Sequence, residues 1–147
     1  MRFLVAVLFL LSSEFSNATN PPFWILGKWK FVAYIYQGVL NPPLNPKLDL
    51  FYQFTNDGQD ELFYSRTDES GFCNRKGEFS LSYENNQQIL TDRVVWVNEK
   101  NNDACSRDTD MQLDNLAIVP IQFIKGQLLI EVGLAGESFI YVFSPSK

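Results

Sequence analysis

Apolar and polar residues alternate with a period of two along most of this chain, the pattern of half-buried β-strands. Across 48–54, Leu48, Leu50, Tyr52 and Phe54 share one side. Across 77–83, Phe79, Leu81 and Tyr83 stand against Glu78, Ser80 and Ser82. Across 28–37 the same period puts Trp29, Phe31, Ala33 and Ile35 on one face, and 89–98 sets Val94 and Trp96 against Val95 and Val97. Further strands are expected over 61–65, 111–113, 117–125, 128–132 and 139–143, with Pro120 marking an edge or a bulge. Turn signals separate them at Asn56-Asp57-Gly58, at Asn85-Asn86, at Gly126 and at Ala135-Gly136. The segment 38–47 carries Pro42, Pro43 and Pro46, each without an N–H to donate, so it reads as a loop. Its length suits a flap over the open end of a barrel. No stretch holds a helical period over a helix-like length, and only a single helical turn is expected, at 20–26. Short strands joined by tight turns indicate an all-β sandwich or barrel. The nearest-neighbour hairpins favour an up-and-down antiparallel β-barrel of about eight strands.

The first residues belong to a different pattern. Met1-Arg2 is a short positive start, 3–11 is apolar, and Ser16-Asn17-Ala18 offers small residues at the positions a signal peptidase reads. This predicts a signal peptide over 1–18, cleaved after Ala18, and one domain over 19–147. The apolar run is too short to span a bilayer. The expected location is therefore secreted or periplasmic. In that setting an even count of two cysteines predicts one disulfide, Cys73–Cys105.

The formal net charge is −5, and the basic residues form no stripe, which argues against nucleic acid and anionic membrane surfaces as partners. The chain has no histidine, so His-based triads and His metal sites are excluded. No nucleophile elbow or phosphate loop is present, and both cysteines are taken by the disulfide. No cofactor, metal or enzyme activity is expected. Asp57, Asp60, Glu61, Asp68 and Glu69 cluster around a turn; they read as a solvated turn, and their spacing is not that of a calcium loop. Aromatic residues make up 15% of the chain, 13 of them Phe, which implies a tightly filled core or an aromatic-lined cavity.

Ile25-Leu26-Gly27-Lys28-Trp29-Lys30-Phe31 opens the first strand with a Gly-x-Trp motif. Gly27 allows a sharp entry into the strand, and Trp29 plugs one end of the barrel. A secreted all-β chain opening this way resembles the lipocalins, and most closely the small bacterial lipocalin-like proteins. The resemblance implies a closed end packed on Trp29 with a later arginine across the indole. Arg107 is the candidate, with Arg93 and Arg75 as rivals. The chain departs from the family in lacking a convincing Thr-Asp-Tyr motif and a helix after the last strand. Avidins also carry Gly-x-Trp, but their ligand-stacking tryptophans and polar ring are not evident. Small barrel-shaped periplasmic lysozyme inhibitors share the size, export signal and single disulfide.

Two functions follow as expectations. In the first, the barrel holds a small hydrophobic ligand against Phe31, Tyr52, Phe54, Phe79, Tyr83, Trp96 and Tyr141, with 38–47 at the cavity mouth. In the second, the chain is a loop-mediated inhibitor or interaction protein for a secreted or periplasmic enzyme, working through loops 38–47 and 100–107.

Overall fold

The computed structural model describes residues 21–134 and 136–147, so the expected leader over 1–18 lies outside the described residues. The expected helical turn is a pair of overlapping i→i+3 bonds, from Ile25 N–H to Pro22 O and from Leu26 N–H to Phe23 O. Among the described residues, nine strands then form one antiparallel sheet: β1 (Gly27–Tyr36), β2 (Val39–Asn41), β3 (Leu48–Phe54), β4 (Gln59–Arg66), β5 (Cys73–Glu84), β6 (Gln87–Val97), β7 (Leu116–Ile124), β8 (Gln127–Leu134) and β9 (Glu137–Ser146). From β3 onward each strand pairs with the next in sequence, β3 also pairs with β1, and β1 pairs with β9 from Lys28↔Ser146 to Ile35↔Ile140. The result is a closed eight-stranded up-and-down barrel, with β2 as a short extra strand hairpinned onto the end of β1. No helix among the described residues is long and apolar enough to cross a membrane.

Local chemistry explains the connections. Asn85 and Asn86 both take left-handed backbone angles between β5 and β6, which a two-residue hairpin demands and Asn tolerates. Gly27 enters β1 at φ 115°, a conformation for glycine. Segment 111–113, expected as a strand, instead continues from the 3₁₀ turns Asp103–Arg107 and Thr109–Met111. Asn102 caps the first, its side-chain oxygen accepting from Ala104 N–H. The Cys73–Cys105 disulfide ties this segment to the start of β5, with Cα atoms 5.6 Å apart. A loop of that length contributes about 3–4 kcal/mol. Met111 is buried beside Leu62, Tyr64 and the two half-cystines, so the segment is a strap packed onto the barrel wall.

The two ends of the barrel therefore differ. The start of β1 and the β3–β4, β5–β6 and β7–β8 turns lie at the Trp29 end. The strap, β2 and the proline loop lie at the other. At the Trp29 end, Ile25, Phe54, Phe79, Ile121, Leu128 and Phe143 are buried with Trp29. The Trp29 Nε1–H donates to Ile25 O at 2.7 Å.

Two bulges reset which side chains face inward. In β1 the register slips between Phe31 and Ala33, so Tyr34, not Ala33, pairs with inward-facing Tyr141. In the β5–β6 ladder, Gly77 pairs with Val94 but Lys76 pairs with Trp96, leaving Val95 as the extra residue. One further irregularity opens the wall. The β7–β8 ladder covers only Ile121–Ile124 opposite Gln127–Ile130 and stops beside Pro120, which has no N–H to extend it. Beyond that point 116–119 pairs with β6 and 131–134 pairs with β9.

Candidate functional site

Three charged residues occupy inward positions on three successive strands. Asp60 precedes Leu62 and Tyr64 on β4, Arg75 lies between Cys73 and Gly77 on β5, and Asp92 lies between Leu90 and Val94 on β6. Each is only 2% exposed. The Arg75 guanidinium donates from Nη1 to Asp60 Oδ1 and, at 3.3 Å, to Asp92 Oδ1. From Nη2 it donates to Asp92 Oδ2 and to Tyr52 Oη, both at 2.5 Å. Tyr52 in turn donates to Asp92 Oδ2 at 2.6 Å.

The backbone of β5 makes room for this cluster. A Cβ on residue 77 would stand 2.5 Å from Asp92 Oδ1 and 2.7 Å from Asp60 Oδ2, so only glycine lets the two carboxyls flank the arginine. Burial is the main cause that raises the Asp60 carboxyl to about 7. Arg75 opposes that rise and Asp92 adds to it. The rise suits the geometry, because Asp60 Oδ2 accepts from no donor among the described residues, which leaves the ionised form poorly solvated. Burial also pushes the Tyr52 hydroxyl well above its ordinary range, so it stays a donor.

Above this cluster, toward the strap, the barrel is hollow. A cavity of about 210 Å³ has Tyr52, Arg75 and Asp92 at its floor. Its walls include Leu50, Leu90, Val119, Ile130, Val132 and Tyr141, and its upper rim holds Asp110 and Asn115 from the strap side. Ala117 and Val119 on one side and Val132 and Gly133 on the other carry it to the open seam between β7 and β8.

Of the seven residues expected against a ligand, Tyr52 and Tyr141 line this cavity. Phe31, Phe54 and Phe79 are inside the barrel but packed into the Trp29-end core: Phe31 lies 4.6 Å from the Tyr141 ring, and Phe54 meets Phe79 edge-on at 4.9 Å. Trp96 is a correction. The bulge at Val95 turns it outward, where it is 41% exposed under the Lys76 ammonium. Tyr83 is a second correction: it keeps its phase, but the β5–β6 hairpin overhangs the barrel. The β4–β5 ladder ends at Glu78, so Tyr83 projects past the wall and is 70% exposed. The mouth is also reassigned, since no residue of 38–47 lines the cavity and the strap does.

Gly27 and Trp29 stand where the motif puts them, but Arg107 does not cross the indole. It is exposed on the strap, at the opposite end of the barrel. Arg93 pairs on the surface with Glu78, and Arg75 is in the buried cluster. Among the described residues no cation covers Trp29; the edge of Phe123 does, 6.1 Å away, with Trp24 stacked behind at 5.4 Å.

Asp60 corrects the reading of its neighbourhood as a solvated turn. Asp57, Asp68 and Glu69 are exposed and Glu61 is half-buried, whereas Asp60 turns inward and is buried. The signal for the buried trio was the alternation itself. Asp60, Arg75 and Asp92 each sit two residues from an apolar inward neighbour on the same strand.

No protein-family model matches this chain, and no curated protein matches it. Among solved structures it is similar to As-p18, an extracellular fatty acid binding protein. The identity is 8%, over 87% of this chain and 100% of that one, with a TM-score of 0.45. At those values the barrel rests on its own strand register rather than on the likeness.

Proposed function

We propose that this protein is a secreted or periplasmic binding protein that holds a small hydrophobic ligand inside its barrel. The observation that carries the reading is the cavity of about 210 Å³ with apolar walls above a polar floor in which Arg75 and Asp92 are buried. A dry cavity of roughly 150 Å³ lined by Leu, Ile and Phe is enough to take up benzene. Pockets for drug-sized ligands start at about 300 Å³. The cavity therefore suits a compact or medium-chain ligand, admitted at the strap end or through the β7–β8 seam. Export is supported by the disulfide, which persists in oxidising compartments, and by the apolar leader-like start of the chain. Titration with a neutral hydrophobic fluorophore tests the reading. Saturable binding near one per chain is expected, and no saturable binding would remove it. Native mass spectrometry of protein from its own source, without detergent, would then weigh the natural ligand.

A second reading has its own observation. Val39, Leu40 and Leu44 are exposed on the β2 hairpin and the proline loop. An apolar tip on a rigid barrel suits loop-mediated contact with a secreted or periplasmic enzyme. Leu40→Asp with Leu44→Asp would abolish such contact and leave fluorophore binding intact.

A further inference from the structure

We propose that the cavity selects a cationic amphiphile, in its simplest form an alkyl amine, over a carboxylate with the same tail, with Asp110 as the rim charge that favours it. This rests on the cavity being a ligand site and specifies the polar end of what enters.

The charges around the cavity decide the preference. Arg75 is the cation among the described lining residues, and both of its terminal nitrogens are committed to Asp60, Asp92 and Tyr52. Only its Nε–H is unused. A ligand carboxylate reaching for that single donor would come up beside Asp92, already paired with the same guanidinium. Against the one cation stand Asp92 at the floor and Asp110 at the rim, with Asp60 behind Arg75. Asp60, raised to about 7 chiefly by burial, is partly ionised at neutral pH and adds to the negative side. The excess is therefore negative whichever form Asp60 takes. Low-dielectric walls focus that field on anything inside.

Floor and rim also divide the work. Asp92 accepts from Arg75 and Tyr52 and is sequestered, whereas the Asp110 side chain reaches both solvent and cavity. An amine can keep part of its hydration at the rim beside Asp110 while its tail fills the apolar space below. A cation driven to the floor would have to compete with Arg75, so the rim is the favourable place for it.

The test uses three ligands with one tail, so the apolar contribution cancels: decylamine, decanol and decanoate. Each displaces a neutral fluorophore from the purified protein at neutral pH, below the concentration at which it forms micelles. Decylamine should bind about tenfold tighter than decanol, and decanoate about tenfold weaker. Asp110→Asn should bring decylamine several-fold toward decanol while leaving decanol itself unchanged. Decanoate binding as tightly as decylamine would overturn the selectivity and leave the cavity reading standing. An unchanged amine preference in Asp110→Asn would overturn the role of the rim. Failure of all three ligands and of the fluorophore would overturn the cavity reading itself, and this inference with it.

Discussion

The two halves of the barrel are built from the same eight strands but spend them differently. At the Trp29 end, inward positions carry large apolar side chains that fill the space: Trp29, Phe54 and Phe79 are buried together, Phe54 meets Phe79 edge-on, and the indole N–H is satisfied by Ile25 O. At the strap end, inward positions carry smaller aliphatic residues around a void, above an Arg75–Asp60–Asp92–Tyr52 network. The first half obtains stability from close packing. The second takes the Arg75–Asp92 ion pair and the Asp60 carboxyl out of water, where a buried ion pair seldom adds net stability. The disulfide and buried Met111 then hold the strap against the wall of the hollow half.

The largest effect should come from breaking the polar half. Arg75→Met strips the counter-charge from two buried carboxyls and should cost about 3–5 kcal/mol in a denaturant titration. A loss below about 1 kcal/mol would mean the cluster is wet and the halves are not different in kind. Trp29→Ala probes the filled half and should cost about 3–5 kcal/mol through the void it leaves, without abolishing fluorophore binding in the protein that remains folded. If binding disappears while the fold persists, the two halves are one site.

The pH dependence sharpens the contrast. The Asp60 carboxyl is raised in the folded protein to about 7, chiefly by burial, against an ordinary value of about 3.9 when unfolded. The folded state then binds more protons than the unfolded state in that window. The contribution of Asp60 to stability is thus fully present below about pH 4 and is lost as pH rises through about 7. Melting curves should show wild-type stability falling over that range, and Asp60→Asn should flatten the slope. A slope of the opposite sign would contradict the buried, protonated carboxyl.

The smallest effect is expected outside the barrel. Trp96→Ala should cost about 1 kcal/mol or less, the scale of an exposed cation–aromatic contact with Lys76, and leave ligand affinity unchanged. A tenfold loss of affinity would return Trp96 to the cavity.

Much of this organisation was legible residue by residue. Alternation over 48–54 assigns Leu48, Leu50, Tyr52 and Phe54 to the interior, because that ladder runs unbroken against β4. The cysteine count predicts the disulfide, and Gly27-Lys28-Trp29 marks the packed end. Alternation fails where pairing, not sequence, sets the phase. The bulges beside Val32 and Val95 belong to two-strand registers, so no single strand reveals that Tyr34 turns in and Trp96 turns out. Tyr83 fails for another reason, since strand overhang depends on the lengths of the neighbouring strands. The charged trio was hidden by a general expectation that charge is exposed. Asp60 was read with its acidic neighbours around a turn, yet its phase with Leu62 and Tyr64 points inward. The Cys73–Cys105 pairing marked where 100–107 folds back, but Met111 sits in a polar stretch, so its burial in a 3₁₀ turn was read instead as a short strand over 111–113.

Methyl-resolved NMR of the protein titrated with decanol tests the hollow-half account most directly, because a neutral ligand reports on the void apart from any charge preference. The account predicts saturable shifts at Leu90, Val94, Val119, Ile130 and Val132 around the cavity. It predicts none at Ile25 in the packed end or at Ile118 on the outer face. Shifts confined to Ile118 and other outer methyls, or an absence of shifts at saturation of the solution with decanol, would show that the void takes no ligand and would contradict it.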